Sequence, residues 1–69
     1  MELTLEIERE SDGRWLAEVP ELPGVLAYGR TRALAERAAQ VLSFHVNADR
    51  MEHSEMPAGP VSVVFLTTP

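Results

Sequence analysis

Cysteine is absent from this chain of 69 residues. No disulfide can therefore stabilise the fold, and no thiolate can bind a metal ion. A single hydrophobic core in a chain this short rarely supplies more than about 3–5 kcal/mol of stability. Hydrophobic residues nevertheless make up 45% of the sequence, which is enough for a folded protein. We therefore predict one small domain, residues 1–69, that gains further stability from another source, with self-association as the first candidate.

Long apolar runs are missing as well. No stretch approaches the roughly 20 apolar residues that a membrane-spanning helix needs. Met1 is followed directly by Glu2, which does not resemble the start of a signal peptide. The sequence predicts a cytoplasmic protein without a membrane partner.

Positive charge is scarce. Six Lys and Arg residues stand against eleven Asp and Glu residues, which gives a net charge of −5. Nucleic acids are bound through Lys and Arg contacts to phosphate, so a direct nucleic-acid ligand is not expected, whereas a basic protein partner suits this charge. No Gly-rich phosphate loop occurs, and the two histidines, His45 and His53, do not have the arrangement of a paired metal site. We expect no cofactor and no bound metal.

The residues that are present predict a βββαβ chain. Leu3, Leu5 and Ile7 alternate with polar residues, which indicates a strand with one buried and one wet face. Pattern and turn residues predict further strands over 15–19, 25–28 and 61–66, and a helix over 32–49. The expected fold class is α+β, with a mixed four-stranded sheet of order 3-2-1-4 and the helix packed on one face.

Thr31 is the expected N-cap of the helix, because its hydroxyl can accept a hydrogen bond from the first turn. Helical spacing predicts a sheet-facing stripe of Leu34, Ala35, Ala38, Val41, Leu42, His45 and Val46. Arg30, Arg32 and Arg37 lie near the helix start, where positive charge opposes the helix dipole. An acidic partner, a carboxylate of the same chain, or ordinary surface placement would each account for them.

The second strand ends in a stiff corner. Pro20 and Pro23 fix their own φ angles and hold the preceding residues extended. Gly24 follows Pro23 and can supply the positive φ that a type II turn needs. The chain must therefore stop one strand here, turn, and start the next.

An ordered set of motifs resembles the HicB antitoxin family. It consists of the Asp12-Gly13 turn with Trp15 after it, the run Val19-Pro20-Glu21-Leu22-Pro23-Gly24, and Gly29-x-Thr31 at the start of a helix that contains Ala35. The resemblance extends from about Leu3 to the end of the helix. It implies a truncated ribonuclease-H-like layer, the toxin-binding domain alone, which binds and neutralises a small basic HicA-like toxin that cleaves mRNA.

The resemblance and the charge together select the partner-binding residues. The residues expected to shape the binding corner are Trp15, Pro20, Leu22, Pro23 and Gly24. Those expected to supply negative charge are Asp12, Glu18 and Glu21.

The final strand carries apolar residues on both faces, and one helix can cover only one face of the sheet. We therefore predict a homo-oligomer, a dimer or a tetramer, whose interface contains Leu16, Val64 and Leu66. The alternative is that the loop over residues 50–60, with Met51 and Met56, folds over the second face.

Two other functions remain open at this point. One is a stand-alone self-assembling domain without a toxin partner. The other is a degenerate ribonuclease-H-like nuclease, in which Glu6, Glu8 and Glu18 would have to converge on two metal ions. We expect that the protein is not an enzyme.

Overall fold

A computed structural model describes residues 1–56 and 59–68 of the chain. Its elements are β1 (Glu2–Arg9), β2 (Trp15–Glu18), β3 (Leu26–Gly29), α1 (Arg32–Glu52) and β4 (Val64–Thr67). The four strands form one sheet of order β3-β2-β1-β4. β1 pairs antiparallel with β2 and parallel with β4, and β2 pairs antiparallel with β3. The predicted α+β class, element order and strand order are confirmed.

The helix ends later than predicted, at Glu52 rather than Asp49. Ser54 adopts a positive φ of 58° after the last turn. The Glu55 N–H donates to the Arg50 carbonyl at 2.8 Å and the Ser54 N–H donates to the Met51 carbonyl at 3.2 Å, which together form a Schellman cap. Glycine is the usual residue at this position and serine is uncommon, so the sequence pattern did not predict this cap. Of the predicted loop over 50–60, Pro57 and Ala58 lie outside the described residues.

The core lies between the helix and one face of the sheet. Alternate residues of β1 point into it, and Leu3 and Leu5 are almost fully buried, as the period of two predicts. Ala17 of β2 pairs with Ile7 of β1 on the same face. The remaining buried apolar residues are Val19, Leu22, Val25, Ala35 and Ala39.

The predicted sheet-facing stripe of the helix is wrong in part. The residues that the helix buries are Ala35, Ala39, Ser43 and Asn47, whereas Leu34, Val41, Leu42 and His45 are exposed. The cause is a close approach between the helix and β3. A Cβ atom at Gly29 would collide with the backbone of Ala35 and Leu34. At such short separation only small side chains fit, so the larger apolar side chains turn outward.

The helix start carries the predicted cap. The Thr31 hydroxyl accepts a hydrogen bond from the Leu34 N–H at 3.1 Å. The Arg32 guanidinium pairs with the Glu36 carboxylate at 2.9 Å and donates to the Thr68 carbonyl at 3.2 Å. A carboxylate of the same chain therefore accounts for Arg32. Among the described residues, Arg30 and Arg37 form no ion pair.

Candidate functional site: the open face of the sheet

The helix covers one face of the sheet, and within residues 1–56 and 59–68 no other helix or strand packs on the second face. Strand register determines which side chains lie on this second face, because directly paired residues share a face. They are Glu2, Thr4, Glu6 and Glu8 of β1, Leu16 and Glu18 of β2, Leu26 and Tyr28 of β3, and Val64 and Leu66 of β4. We call this surface the open face.

Three carboxylates form an acidic strip along the open face: Glu6, Glu8 and Glu18. Glu6 and Glu18 are direct cross-strand partners, and Glu8 is opposite Leu16. Like charges directly opposite each other on a sheet destabilise the pair. The isolated chain therefore carries an electrostatic cost on this face that a positively charged partner would relieve.

Apolar side chains flank the acidic strip on the β3 side, and on the β4 side they lie diagonally from it, opposite Glu2 and Thr4. On the β3 side they are Leu16, Leu26 and Tyr28, and on the β4 side they are Val64 and Leu66, each 50% exposed. Beyond the end of β4, a shallow hollow of about 260 Å³ reaches the strip; it is lined by Glu6, Ile7, Glu8, Leu16, Glu18 and Thr68. The open face thus combines negative charge with exposed apolar area.

The acidic strip does not resemble a metal centre. In residues 1–56 and 59–68, no three side chains of the His, Cys, Asp or Glu type are grouped so that they could hold a metal ion. Glu6, Glu8 and Glu18 share a face, as their alternating positions require. Their contribution to the open face is negative charge.

The proline corner consists of two consecutive turns. The Leu22 N–H donates to the Val19 carbonyl and the Val25 N–H donates to the Leu22 carbonyl, both at 3.0 Å. Gly24 has φ +85°, as the third residue of a type II turn after Pro23 requires, so this predicted turn is confirmed. The Val19 N–H donates to the Val25 carbonyl at 3.0 Å and closes the corner.

Glu21 fastens this corner to the edge of β1. Its carboxylate accepts the Thr4 hydroxyl at 2.6 Å and the Thr4 backbone N–H at 3.0 and 3.1 Å. β2 pairs with β1 only from Glu6 onward, so Glu21 takes the place of a strand partner at Thr4. The Thr4 hydroxyl, followed by the Thr4 N–H, lowers the pKa of the Glu21 carboxyl below its ordinary value. The corner is thereby held beside the open face.

Asp12 lies in the β1–β2 hairpin, and both of its carboxylate oxygens accept hydrogen bonds from Arg14. Its carboxylate accepts the Arg14 backbone N–H at 3.0 Å and pairs with the Arg14 guanidinium at 2.8 Å. These contacts, the backbone N–H first, lower the pKa of Asp12. The Arg14 guanidinium in turn lies over the Tyr28 ring, 4.4 Å from its centroid. Asp12 therefore orders the hairpin and positions Arg14 at one end of the open face.

The structure separates the predicted partner-binding residues into distinct places. Trp15 lies on the helix side of the sheet beneath Arg9, and Leu22 is only 2% exposed. Glu18 points to the opposite side from Trp15, and Asp12 is at the far end of β2 from the corner. The exposed corner residues are Pro20, Glu21, Pro23 and Gly24. Leu22 supports this corner from the core and presents almost no surface to a partner.

Sequence reasoning did not assign Leu26 and Tyr28 to a binding surface, and it considered Glu6 and Glu8 only as metal ligands. The period of two in β1 already puts Glu6 and Glu8 on the wet face. Leu26 and Tyr28 alternate with Ala27 in the same way, but only the pairing of β3 with β2 shows which side they take.

The predicted oligomer residues do not form one continuous patch. Leu16 belongs to β2, whereas Val64 and Leu66 belong to β4, and β1 lies between them. On β1, Glu8 pairs with Leu16 on one side of the strand. Glu2 and Thr4 pair with Val64 and Leu66 on the other side, so polar residues separate the two apolar groups.

No protein-family model matches the sequence, and neither the curated proteins nor the solved structures contain a significant match to it. Within the described residues, no helix has both the length and the apolar character needed to cross a membrane.

Proposed function

We propose that this protein is a HicB-like antitoxin that binds and neutralises a small basic HicA-like ribonuclease toxin in the cytoplasm. The observation that carries the proposal is the acidic strip on the open face, which lies between two exposed apolar patches. The motifs that resemble the HicB family give the class of partner. The protein itself would act by binding and would not be an enzyme.

Electrostatics favours a basic partner on this face. The acidic strip concentrates charge of one sign within a chain whose net charge is −5. A cationic surface on the partner would pair with Glu6, Glu8 and Glu18 and would be steered towards them during association. Leu26, Tyr28, Val64 and Leu66 would supply apolar area around these charges, as the core of a protein interface requires. Because an RNA-cleaving toxin needs cationic side chains to hold RNA, the same side chains would be masked in the complex.

The corner would serve as a rigid border of the binding surface. Pro20, Pro23 and Gly24 are exposed, and Glu21 fixes them to β1 at Thr4. A border that is already ordered loses little conformational entropy on binding.

Co-expression tests this function directly. A two-gene plasmid would carry this protein together with a small basic ribonuclease encoded beside it, and the complex would be purified through a tag on one partner. We expect the two proteins to co-purify and RNA cleavage by the toxin to be suppressed. Recovery of the proteins separately, with RNA cleavage undiminished, would overturn the proposal.

A charge reversal at Glu18 tests whether the open face is the surface that binds the toxin. Glu18→Lys removes one member of the Glu6–Glu18 like-charge pair, so the fold should tolerate it, while the acidic strip loses its centre. We expect this variant to weaken toxin binding by roughly tenfold or more. Glu55→Lys, an equal charge change at an exposed position after the helix, is the matched control and should bind normally.

Self-association through Leu16, Val64 and Leu66 stays a prediction. Two copies of the open face placed together would bring two acidic strips towards each other, which costs free energy. The charge on this face therefore favours a basic partner over a second copy of the same chain.

A further inference from the structure

Most of the large apolar side chains of α1 face solvent, whereas the side that contacts the sheet carries small or polar side chains. Towards the sheet the helix presents Ala35, Ala39, Ser43 and Asn47. Towards solvent it presents Leu34, Val41, Phe44 and Met51, each about half exposed. Large exposed apolar side chains gathered on one side of a helix are typical of a protein–protein contact.

These outward residues follow a heptad pattern. Leu34, Val41 and Ala48 are spaced by seven, and so are Arg37, Phe44 and Met51. Alternating steps of three and four residues between the two series form one seam, the arrangement through which two helices pack against each other. We call the six residues the outer seam. It runs over nearly the whole of α1, whose 21 residues span about 30 Å.

We propose that the outer seam is a self-association surface, on which the α1 helix of a second copy of this chain packs antiparallel about a two-fold axis. In this arrangement Leu34 would face Met51 of the second copy and Val41 would face Phe44. Arg37 would face the small Ala48, which leaves room for the guanidinium. The axis passes close to the middle of α1, so the two helices overlap along their full length.

Charge complementarity selects a second copy in the antiparallel direction. The first turn of α1 contains no acidic residue, and Glu36 in the next turn is paired with Arg32, so Arg37 leaves the N-terminal half basic on balance. At the C-terminal end Asp49 and Glu52 outnumber Arg50, so this end is acidic on balance, although negative charge here opposes the helix dipole. Two antiparallel copies bring the basic half of each helix to the acidic end of the other. A parallel pair would instead bring Arg37 against Arg37.

The outer seam and the open face are on opposite sides of the molecule. The helix lies over β3, β2 and β1, and the outer seam points away from them. On the side towards β4 the Phe44 ring meets the Phe65 ring edge-on, with 5.7 Å between the ring centroids. Dimerisation through the helix therefore leaves the open face of each copy available, and it does not depend on the proposed toxin.

Sedimentation equilibrium of the full chain and of two point variants tests the proposal. Val41→Glu changes an outward side chain in the centre of the seam, and Leu66→Glu is the matched control on the open face. We expect the wild-type chain and Leu66→Glu to be dimers, and Val41→Glu to have a dimer dissociation constant roughly tenfold higher or more. A wild-type chain that is monomeric at high micromolar concentration would overturn the proposal. So would dissociation by Leu66→Glu with Val41→Glu still dimeric.

A charge swap tests the antiparallel direction. Arg37→Glu should weaken the dimer, because it brings a carboxylate to the acidic end of the second copy. Arg37→Glu combined with Glu52→Arg should restore much of the lost affinity, since each helix then carries the reversed but still complementary charges. Circular dichroism would establish that every variant keeps its helix. A double variant as weak as Arg37→Glu alone would contradict the antiparallel arrangement.

Discussion

Thr4 and Glu21 are 17 residues apart in the chain, yet a single carboxylate joins them through the hydroxyl and the backbone N–H of Thr4. A charged acceptor makes shorter and stronger hydrogen bonds than a neutral one. Because these bonds form only in the folded state, they lower the pKa of Glu21 relative to its ordinary value of 4.5. A lowered carboxyl pKa adds stability above the ordinary value, and this stability is lost as the pH falls through the lowered pKa.

We therefore expect Glu21→Gln to reduce the acid dependence of stability. The neutral amide can still accept from Thr4 but no longer titrates. The thermal midpoint of the variant should lie below that of the wild type at pH 7, and the difference should shrink as the pH falls below 4.5. Glu2→Gln, which removes a carboxylate from β1, the strand that Glu21 contacts, is the control. A constant difference between variant and wild type from pH 7 down to acid would contradict this role.

Ser54 closes the helix at a backbone conformation that disfavours a side chain. Its φ of 58° lies in the left-handed region, where a residue with a Cβ atom is strained by about 1–2 kcal/mol. Ser54→Gly removes this strain, but it also makes the unfolded chain more flexible. We expect a net gain of about 0.5–1 kcal/mol in the free energy of unfolding, measured by chemical denaturation. A loss of stability would show that the serine side chain makes a compensating contact.

At the scale of elements, the contact between α1 and β3 sets the geometry of the helix layer. Gly29 lies so close to the helix that the backbone of Ala35 occupies the position of any Cβ atom. The helix backbone cannot rotate away as a flexible side chain could. This contact also explains why Ala35 and Ala39, rather than the larger Leu34 and Val41, face the sheet.

Gly29→Ala should accordingly destabilise the fold more than the addition of one methyl group usually does. A methyl group in this position would push the helix start away from β3 and loosen the core, at a cost of about 3 kcal/mol. Gly24→Ala is the matched control: a Cβ atom there meets nothing within 4 Å, and only the φ of +85° is unfavourable, which costs about 1 kcal/mol. Equal losses in urea denaturation would contradict the close approach.

At the scale of the whole molecule, charge and apolar area are distributed unevenly over two opposite surfaces. The open face concentrates like charges, which suits a partner of opposite sign. Beside the outer seam, α1 carries Arg37 in its N-terminal half and Glu52 at its C-terminal end, which suits an antiparallel second copy of the same chain. A dimer held through the helices would present two open faces, so one assembly would bind two partners.

The like charges of the open face imply a conflict between stability and binding. Glu18→Gln removes the repulsion with Glu6, so we expect the free energy of unfolding to rise by about 0.2–1 kcal/mol. The same substitution should weaken the complex with a basic toxin and make that complex less sensitive to salt. Glu2 has Val64 rather than an acidic residue as its partner on β4, so Glu2→Gln should change the free energy of unfolding less. A decrease in stability for Glu18→Gln would mean that Glu18 has a favourable interaction in the free chain.

The sequence by itself determined the features that depend on neighbouring residues. The alternation around Leu3 and Leu5 fixed the first strand and its buried face, Pro23-Gly24 fixed a type II turn, and Thr31 fixed the helix start. These follow from side-chain period and backbone sterics, which act over a few residues. The order of the strands followed from the direction of each strand and the length of the helical connection.

Only the tertiary structure decided the features that depend on residues far apart in the chain. The hydrophobic pattern of α1 contains two apolar faces, and the approach of Gly29 to Ala35 selected the one with small side chains. Glu21 looked like a free surface charge until β1 brought Thr4 beside it. The acidic strip exists because strand register places Glu18 opposite Glu6. A local pattern shows which residues share a face, whereas distance and packing between elements decide what that face meets.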